Sequence, residues 1–211
     1  MLTVSDFHKA YEGRTVLRIS SLTLPDGVHY FRGGNGSGKT TFLRTVAGML
    51  PFDGSIWLDG QYEIGRDPVA YRFRVTYAEA EPLYPDFLTA RELTCFVARA
   101  RQAPPGQTAR LGALLGVDLF WDQPTRTFSS GMLKKLALLL ALLGSPRLLL
   151  LDEPLTTLDV ETAGRLFAYL HDLHRRQQVS IWLTSHQDVA LTGLPLTATW
   201  HVGNEQIQRV D

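Results

Sequence analysis

The stretch Gly33-Gly34-Asn35-Gly36-Ser37-Gly38-Lys39-Thr40-Thr41 is the part of this chain whose residue types most directly specify chemistry. It fits G-x-x-x-x-G-K-[ST] through Gly33, Gly38, Lys39 and Thr40. Glycines let a backbone curl until successive N–H groups converge on phosphate oxygens, and a helix that starts there adds its positive end. Lys39 is then placed to reach the β- and γ-phosphates of a nucleoside triphosphate, and the Thr40 hydroxyl to bind Mg²⁺. A second group lies far downstream, where a run of leucines ends in Asp152 and Glu153. Beside a phosphate loop, Asp152 is the expected carboxylate on the Mg²⁺ side, and Glu153 is placed to polarise an attacking water. Without that loop the pair would read as a helix N-cap after a strand. The two groups together leave GTPases, kinases and helicases open, although no N-K-x-D guanine-reading element is present, which lowers the GTPase option.

Both groups need strands behind them. Val28-His-Tyr-Phe31 is a short apolar, aromatic run, and Thr41 to Ala47 has helical periodicity ending at Gly48, so the loop has strand and helix on its two sides. Arg147 to Leu151 is a continuous apolar run, as expected for a central parallel strand covered on both faces, with the carboxylates at its C-terminal edge. Val179 to Thr184 is a second such strand, ending at Ser185-His186. Ligands gather at that edge of a parallel sheet.

The remaining elements divide into strands first and helices later. Leu2, Val4 and Phe7, then Val16, Leu17, Ile19, Leu22 and Leu24, predict antiparallel strands broken at Glu12-Gly13 and Pro25-Asp26-Gly27. Tyr11 falls in the first turn, where an aromatic could stack on a base or pack on its own hairpin. Pro51 to Gly54 reads as a turn, Ser55 to Asp59 as an edge-type strand, Val75 to Tyr77 as a short strand, and Ala78 to Pro85 as a loop. Thr89 with Glu92 has capping-box spacing, and Leu93, Phe96, Val97 and Ala100 follow on one helix face. Pro104-Pro105-Gly106 ends that helix, and Leu111, Leu114, Leu115 and Val117 form a second, so a helical insert runs from about Asp86 to about Pro124. Phe128 to Met132 opens a helix that is apolar nearly all round, Leu133 to Leu143, interrupted by Lys134-Lys135, and its length favours burial. Thr199 to Ile207 reads as a terminal hairpin.

With 211 residues, 45% of them hydrophobic, the chain can bury a full core. Net charge is zero and no run of five like charges occurs, so no nucleic-acid tract or polybasic anchor is expected. The single Cys95 fits a reducing compartment. The first residues lack the pattern of a signal peptide, and the longest apolar run is far short of the roughly 20 residues a bilayer needs. The expectation is a cytoplasmic protein.

In this order of landmarks the chain resembles the nucleotide-binding subunit of an ABC transporter, over almost its whole length. Tyr11 falls where that family has its adenine-stacking aromatic. Phe128-Ser-Ser-Gly-Met132 resembles the LSGGQ signature, with Ser129 and Gly131 kept. Thr156-Thr-Leu-Asp159 looks like the D-loop, and His186 after Thr184-Ser185 looks like the switch histidine. The resemblance implies an α/β fold of the P-loop NTPase type over residues 1–211, with a mainly parallel central sheet, an N-terminal antiparallel β subdomain and a helical subdomain over about 86–145. It implies ATP and Mg²⁺ as cofactors, and Lys39, Glu153 and His186 as catalytic residues. It also implies a head-to-tail homodimer that clasps ATP between one subunit's phosphate loop and the other's Ser129 and Gly131. The partner would be a transmembrane permease, with this chain peripheral on the cytoplasmic face of the inner or plasma membrane.

Two positions depart from the family pattern. Ser130 replaces the first signature glycine and Met132 the glutamine, as in variants among ABC exporters. Ala80 stands where the family has a glutamine that helps bind Mg²⁺ and senses the membrane subunit, with Glu79 and Glu81 as neighbours. Export is expected from the Ser-Gly-Met signature and the short C-terminus, and the layout looks like the small ATPase of haem-exporter systems. The rival readings are a non-transport ABC ATPase and a nucleotide-gated regulatory subunit with weak hydrolysis.

Overall fold

The computed structural model describes residues 1–185 and 193–210. Alternating apolar residues give β1 (Leu2–Tyr11) and β2 (Arg14–Leu24), whose Leu2, Val4, Phe7, Leu17, Ile19 and Leu24 all turn to one buried face. β3 (Val28–Arg32) leads into the phosphate loop and α1 (Lys39–Val46) leaves it. β4 (Asp53–Leu58) returns along the free side of β1, and β5 (Tyr62–Glu63) pairs with its outer edge. The first sheet is therefore antiparallel, in the order β2-β1-β4-β5.

α2 (Pro68–Arg74) precedes β6 (Val75–Ala78). The helices α3 (Ala90–Ala100), α4 (Gln107–Leu115) and α5 (Ser130–Leu142) come next, followed by β7 (Leu148–Leu151). α6 (Val160–Gln177), β8 (Ser180–Thr184), β9 (Ala198–Gly203) and β10 (Gln206–Arg209) complete the described chain. The second sheet has the order β10-β9-β3-β8-β7-β6, parallel except for β10. This is the mainly parallel P-loop NTPase sheet with an antiparallel sheet beside it.

Successive residues of a strand point to opposite faces, so the parallel sheet is a wall shared by two cores. Leu149, Leu151, Ile181 and Leu183 face the leucines of α4, α5 and α6. Leu148, Leu150, Trp182 and Phe31 face α1 and the antiparallel sheet. That is why β7 needs leucine at every position: each burial contributes about 1.5–3 kcal/mol, and there is no solvent face to carry a polar residue.

Three expectations change, and one helix was not anticipated. Phe96 is 73% exposed, because α3 packs through Ala90 and Thr94 with Leu93 and Val97 beside them, and Phe96 lies one position further round the helix. Lys134 does not interrupt the buried face of α5 but is itself buried. β4 takes in Asp53 and Gly54 and is an inner strand, since β5 covers its other edge. α2 had no periodic apolar signal: it buries only Tyr71 and leaves Val69 exposed.

Candidate nucleotide site

Gly38 caps α1 with φ of 102°, a left-handed conformation that L side chains rarely adopt. No side chain caps this helix, and its first backbone bond runs from the Phe42 N–H to the Gly38 carbonyl at 2.8 Å. The amides of Lys39, Thr40 and Thr41 are thus left without an intrahelical acceptor, and the helix end is open to an anion. Lys39 is buried, and its Nζ donates to the carbonyls of Gly33 at 2.8 Å and Gly34 at 3.1 Å. Ser37 Oγ is buried with no partner among the described residues. Open amides, a cation resting on loop carbonyls and an unsatisfied hydroxyl all fit a polyphosphate.

The carboxylates stand at the C-terminal end of β7. Asp152 is 1% exposed, and both its oxygens accept hydroxyl hydrogens, Oδ1 from Thr184 at 2.6 Å and Oδ2 from Tyr77 at 2.9 Å. Burial first, and Asp152 next, push the Tyr77 phenol far above its ordinary range, so it stays a donor. Glu153 has φ of 49°, a left-handed backbone that costs a non-glycine residue about 1–3 kcal/mol. Its N–H donates to Thr184 Oγ1 at 3.0 Å. One hydroxyl on β8 therefore holds both acidic residues, through the side chain of one and the backbone of the other. Sequence reading missed Thr184 and Tyr77. Thr184 could have been found, since it ends the second apolar strand at the same sheet edge; Tyr77 had no local signal, because its contact spans two neighbouring strands.

Tyr11 is 45% exposed, with Lys9 Nζ 4.6 Å from its ring centre. It lines a cleft of about 520 Å³ with Arg14, Gly36, Ser37, Asn204 and Glu205, so the aromatic ring and the phosphate loop share one opening. Arg14, Asn204 and Glu205 were not anticipated. The β9–β10 hairpin reaches the opening only through tertiary packing, with the Arg18 N–H donating to the Glu205 carbonyl at 2.7 Å.

A family profile described as "ABC transporter" matches residues 17–156. The chain belongs to this family. It is similar to ATP-binding cassette sub-family A member 7 of Rattus norvegicus, 35% identical over 88% of this chain, though the chain spans only 9% of that protein's length. It is 32% identical to the cytochrome c biogenesis ATP-binding export protein CcmA of Legionella pneumophila, over 90% of this chain and 95% of that one. It is also 32% identical to the molybdenum import ATP-binding protein ModC of Pseudomonas savastanoi, over 85% of this chain and 51% of that one. Among solved structures, a dimeric post-hydrolysis ATP-binding cassette bound to ADP and Pi matches with a TM-score of 0.84 and 18% identity, covering 100% of this chain and 99% of that chain. The chain is thus an ATP-binding ATPase domain of the ABC type.

The other ABC landmarks are more varied in what they do here. Ser129 is exposed and caps α5, its Oγ accepting from the Met132 N–H at 3.2 Å. A Cβ on Gly131 would come 2.9 Å from the Thr157 carbonyl oxygen, so the signature glycine permits the close approach of the following loop. Asp159 caps α6, taking the Thr162 N–H at 2.8 Å, and pairs with Lys135 at 2.7 Å. Lys135, with the Thr162 hydrogen bonds, holds the Asp159 carboxyl well below the usual range. His186 lies outside the described residues. Ala80 has Glu79 beside it, and the Glu79 carboxylate is drawn to Arg44 at 3.4 Å, while Glu81 is exposed. Among the described residues no group of three or more His, Cys, Asp or Glu could hold a metal, and no helix is long and apolar enough to cross a membrane.

Proposed function

We propose that this chain, acting as one domain over residues 1–211 with a helical subdomain over about 86–145, hydrolyses ATP to drive transport through a separate membrane permease. The observation that carries the reading is the pair of acidic residues held by Thr184 at the edge of the sheet where the phosphate loop also opens. Lys39, Ser37 and the amides from Gly34 to Thr41 would take the phosphates, Tyr11 the adenine, and Glu153 with His186 the attacking water and γ-phosphate. Thr40 and Asp152 would hold Mg²⁺, which keeps several waters and binds through one or two protein groups plus substrate phosphates. When bound, the ion neutralises charge that develops on the transferred phosphoryl group.

Ser129, Gly131 and Asp159 would act across a head-to-tail homodimer, closing the nucleotide against a second copy. Export is favoured by the Ser-Gly-Met signature and by the export relative that the chain matches over nearly its whole length. Such a subunit would sit on the cytoplasmic face of the membrane through its permease. Glu153→Gln keeps the shape of the site while losing the charge that orients water, so turnover should fall by about 10²–10⁴-fold with ATP retained. In sizing experiments with MgATP this variant should run as a dimer. A variant that stays monomeric at high protein and ATP concentration would sink the sandwich.

A regulatory subunit with weak hydrolysis is the second reading, favoured by Ala80 together with the diversion of Glu79 to Arg44. ATPase rate measured against Mg²⁺ concentration separates them. Ala80→Gln should lower the Mg²⁺ needed for half-maximal rate without changing the fold, and identical curves would mean position 80 has no part in metal binding.

A further inference from the structure

Lys134 lies on α5, one turn beyond Ser130, and is 1% exposed. Its ammonium meets no carboxylate within ion-pair distance among the described residues. Instead Nζ donates to three backbone carbonyls: Ala80 at 2.6 Å, Glu79 at 2.9 Å and Asp152 at 3.4 Å. All three N–H bonds are thereby used. Burial lowers the affinity of Lys134 for its proton, against the pull of Asp152, Glu153 and Glu81. A leucine or methionine would fill the same volume on this apolar helix without taking a charge out of water. The charge is therefore explained by what it holds.

What it holds are the first two peptides after β6 and the peptide between Asp152 and Glu153 after β7. Two consecutive carbonyls turned to one side repel each other unless a cation lies between them. Alanine at position 80 has no side chain able to fix that loop, which is held by the Glu79–Arg44 pair and by the backbone contacts below it. We propose that Lys134 is a positioning residue that ties the start of α5 to the loop at Ala80 and to the backbone between Asp152 and Glu153, so that a movement of the signature end reaches the hydrolytic carboxylates within the same subunit. The idea rests on the ATPase reading above for its consequence, but the tie itself is a property of the free chain.

The test uses the full chain with Lys134→Met, which keeps the stem and removes the donors, and Lys134→Arg, which restores a charged donor. ATP affinity should stay within about twofold, because the phosphate loop does not touch position 134. The maximal rate should fall, and the Mg²⁺ requirement should rise, by about 10–100-fold in the methionine variant, with partial recovery in the arginine variant. Hydrogen exchange without nucleotide should quicken together in peptides spanning 78–84 and 150–156. Wild-type exchange in both peptides, or an unchanged Mg²⁺ curve with active enzyme, would overturn the proposal. If Lys134→Met does not fold, Lys134→Gln takes its place under the same criteria. If the wild-type chain binds ATP but never turns it over, faster exchange in both peptides still upholds the tie, and it is the hydrolytic reading that fails.

Discussion

Two helices begin at residues that the sequence marks for phosphate, and they begin differently. α1 starts at Gly38 with no side-chain cap and its first amides open. α5 starts at Ser129, whose hydroxyl already accepts the Met132 N–H. Around α1, Lys39 rests on carbonyls it can give up and Ser37 has no partner among the described residues. Around α5, Asp159 is engaged with Thr162 and Lys135, and Gly131 is packed against Thr157. The first end leaves its early amides and the Ser37 hydroxyl to be completed by a ligand; at the second, the Ser129 hydroxyl already takes one amide, and the amides of Ser130 and Gly131 are left for a second copy. Of the two helix ends, binding by the free chain should therefore depend on α1, and the signature end should matter when two copies meet.

Lys39→Ala gives the strongest break in that comparison. Removing the cation that rests on the loop carbonyls of the open end should weaken ATP turnover by at least about 10²-fold, a loss comparable to deleting a key donor to developing charge. Near-normal ATPase activity in the purified variant would remove the phosphate-loop assignment. Gly131→Ala is intermediate. A Cβ placed 2.9 Å from a backbone oxygen forces a shift worth about 1–3 kcal/mol, or about 2–4 °C in Tm for each kcal/mol. ATP affinity of the free chain should be unchanged; a loss of affinity equal to that of Lys39→Ala would show that the two ends are not separable.

Asp159→Ala is the smallest effect and sharpens the comparison through pH. The Asp159 carboxyl is held below its unfolded value, so its stabilisation is present above about pH 4 and fades as pH falls towards the depressed folded value. The variant should melt below wild type at pH 7, and the gap should narrow on titration below about pH 4. A constant gap down to strong acid would mean that the ion pair and cap contribute nothing through the charge.

Elements whose apolar pattern matches their burial were legible in the sequence. β1 and β2 alternate because one face is buried, β7 is all leucine because both are, and Thr89 with Glu92 forms the capping box its spacing predicts. The phosphate loop was legible for a different reason: its function is carried by consecutive backbone groups, so its residues must be adjacent in sequence. What escaped is what only tertiary contact creates. Tyr77 and Thr184 meet Asp152 from separate strands, Lys134 became buried because loop carbonyls close over it, and Phe96 faced outward because Ala90 and Thr94 set the contact face of α3. Asp159 shows the remaining case, where a residue placed by resemblance in the D-loop also caps a helix of its own chain.

Trp182 has an optical consequence. Its ring is stacked on Phe42 of α1 at 6.1 Å with 10° between planes and lies 5.2 Å from Phe31 at the entrance to the phosphate loop. It is 1% exposed, and its indole N–H has no acceptor among the described residues. The buried fluorophore therefore packs against aromatic rings of the two elements that flank the loop. Any tightening of α1 as phosphate fills its open end would alter ring packing around Trp182, so the chain carries a built-in spectroscopic gauge of nucleotide entry that needs no label.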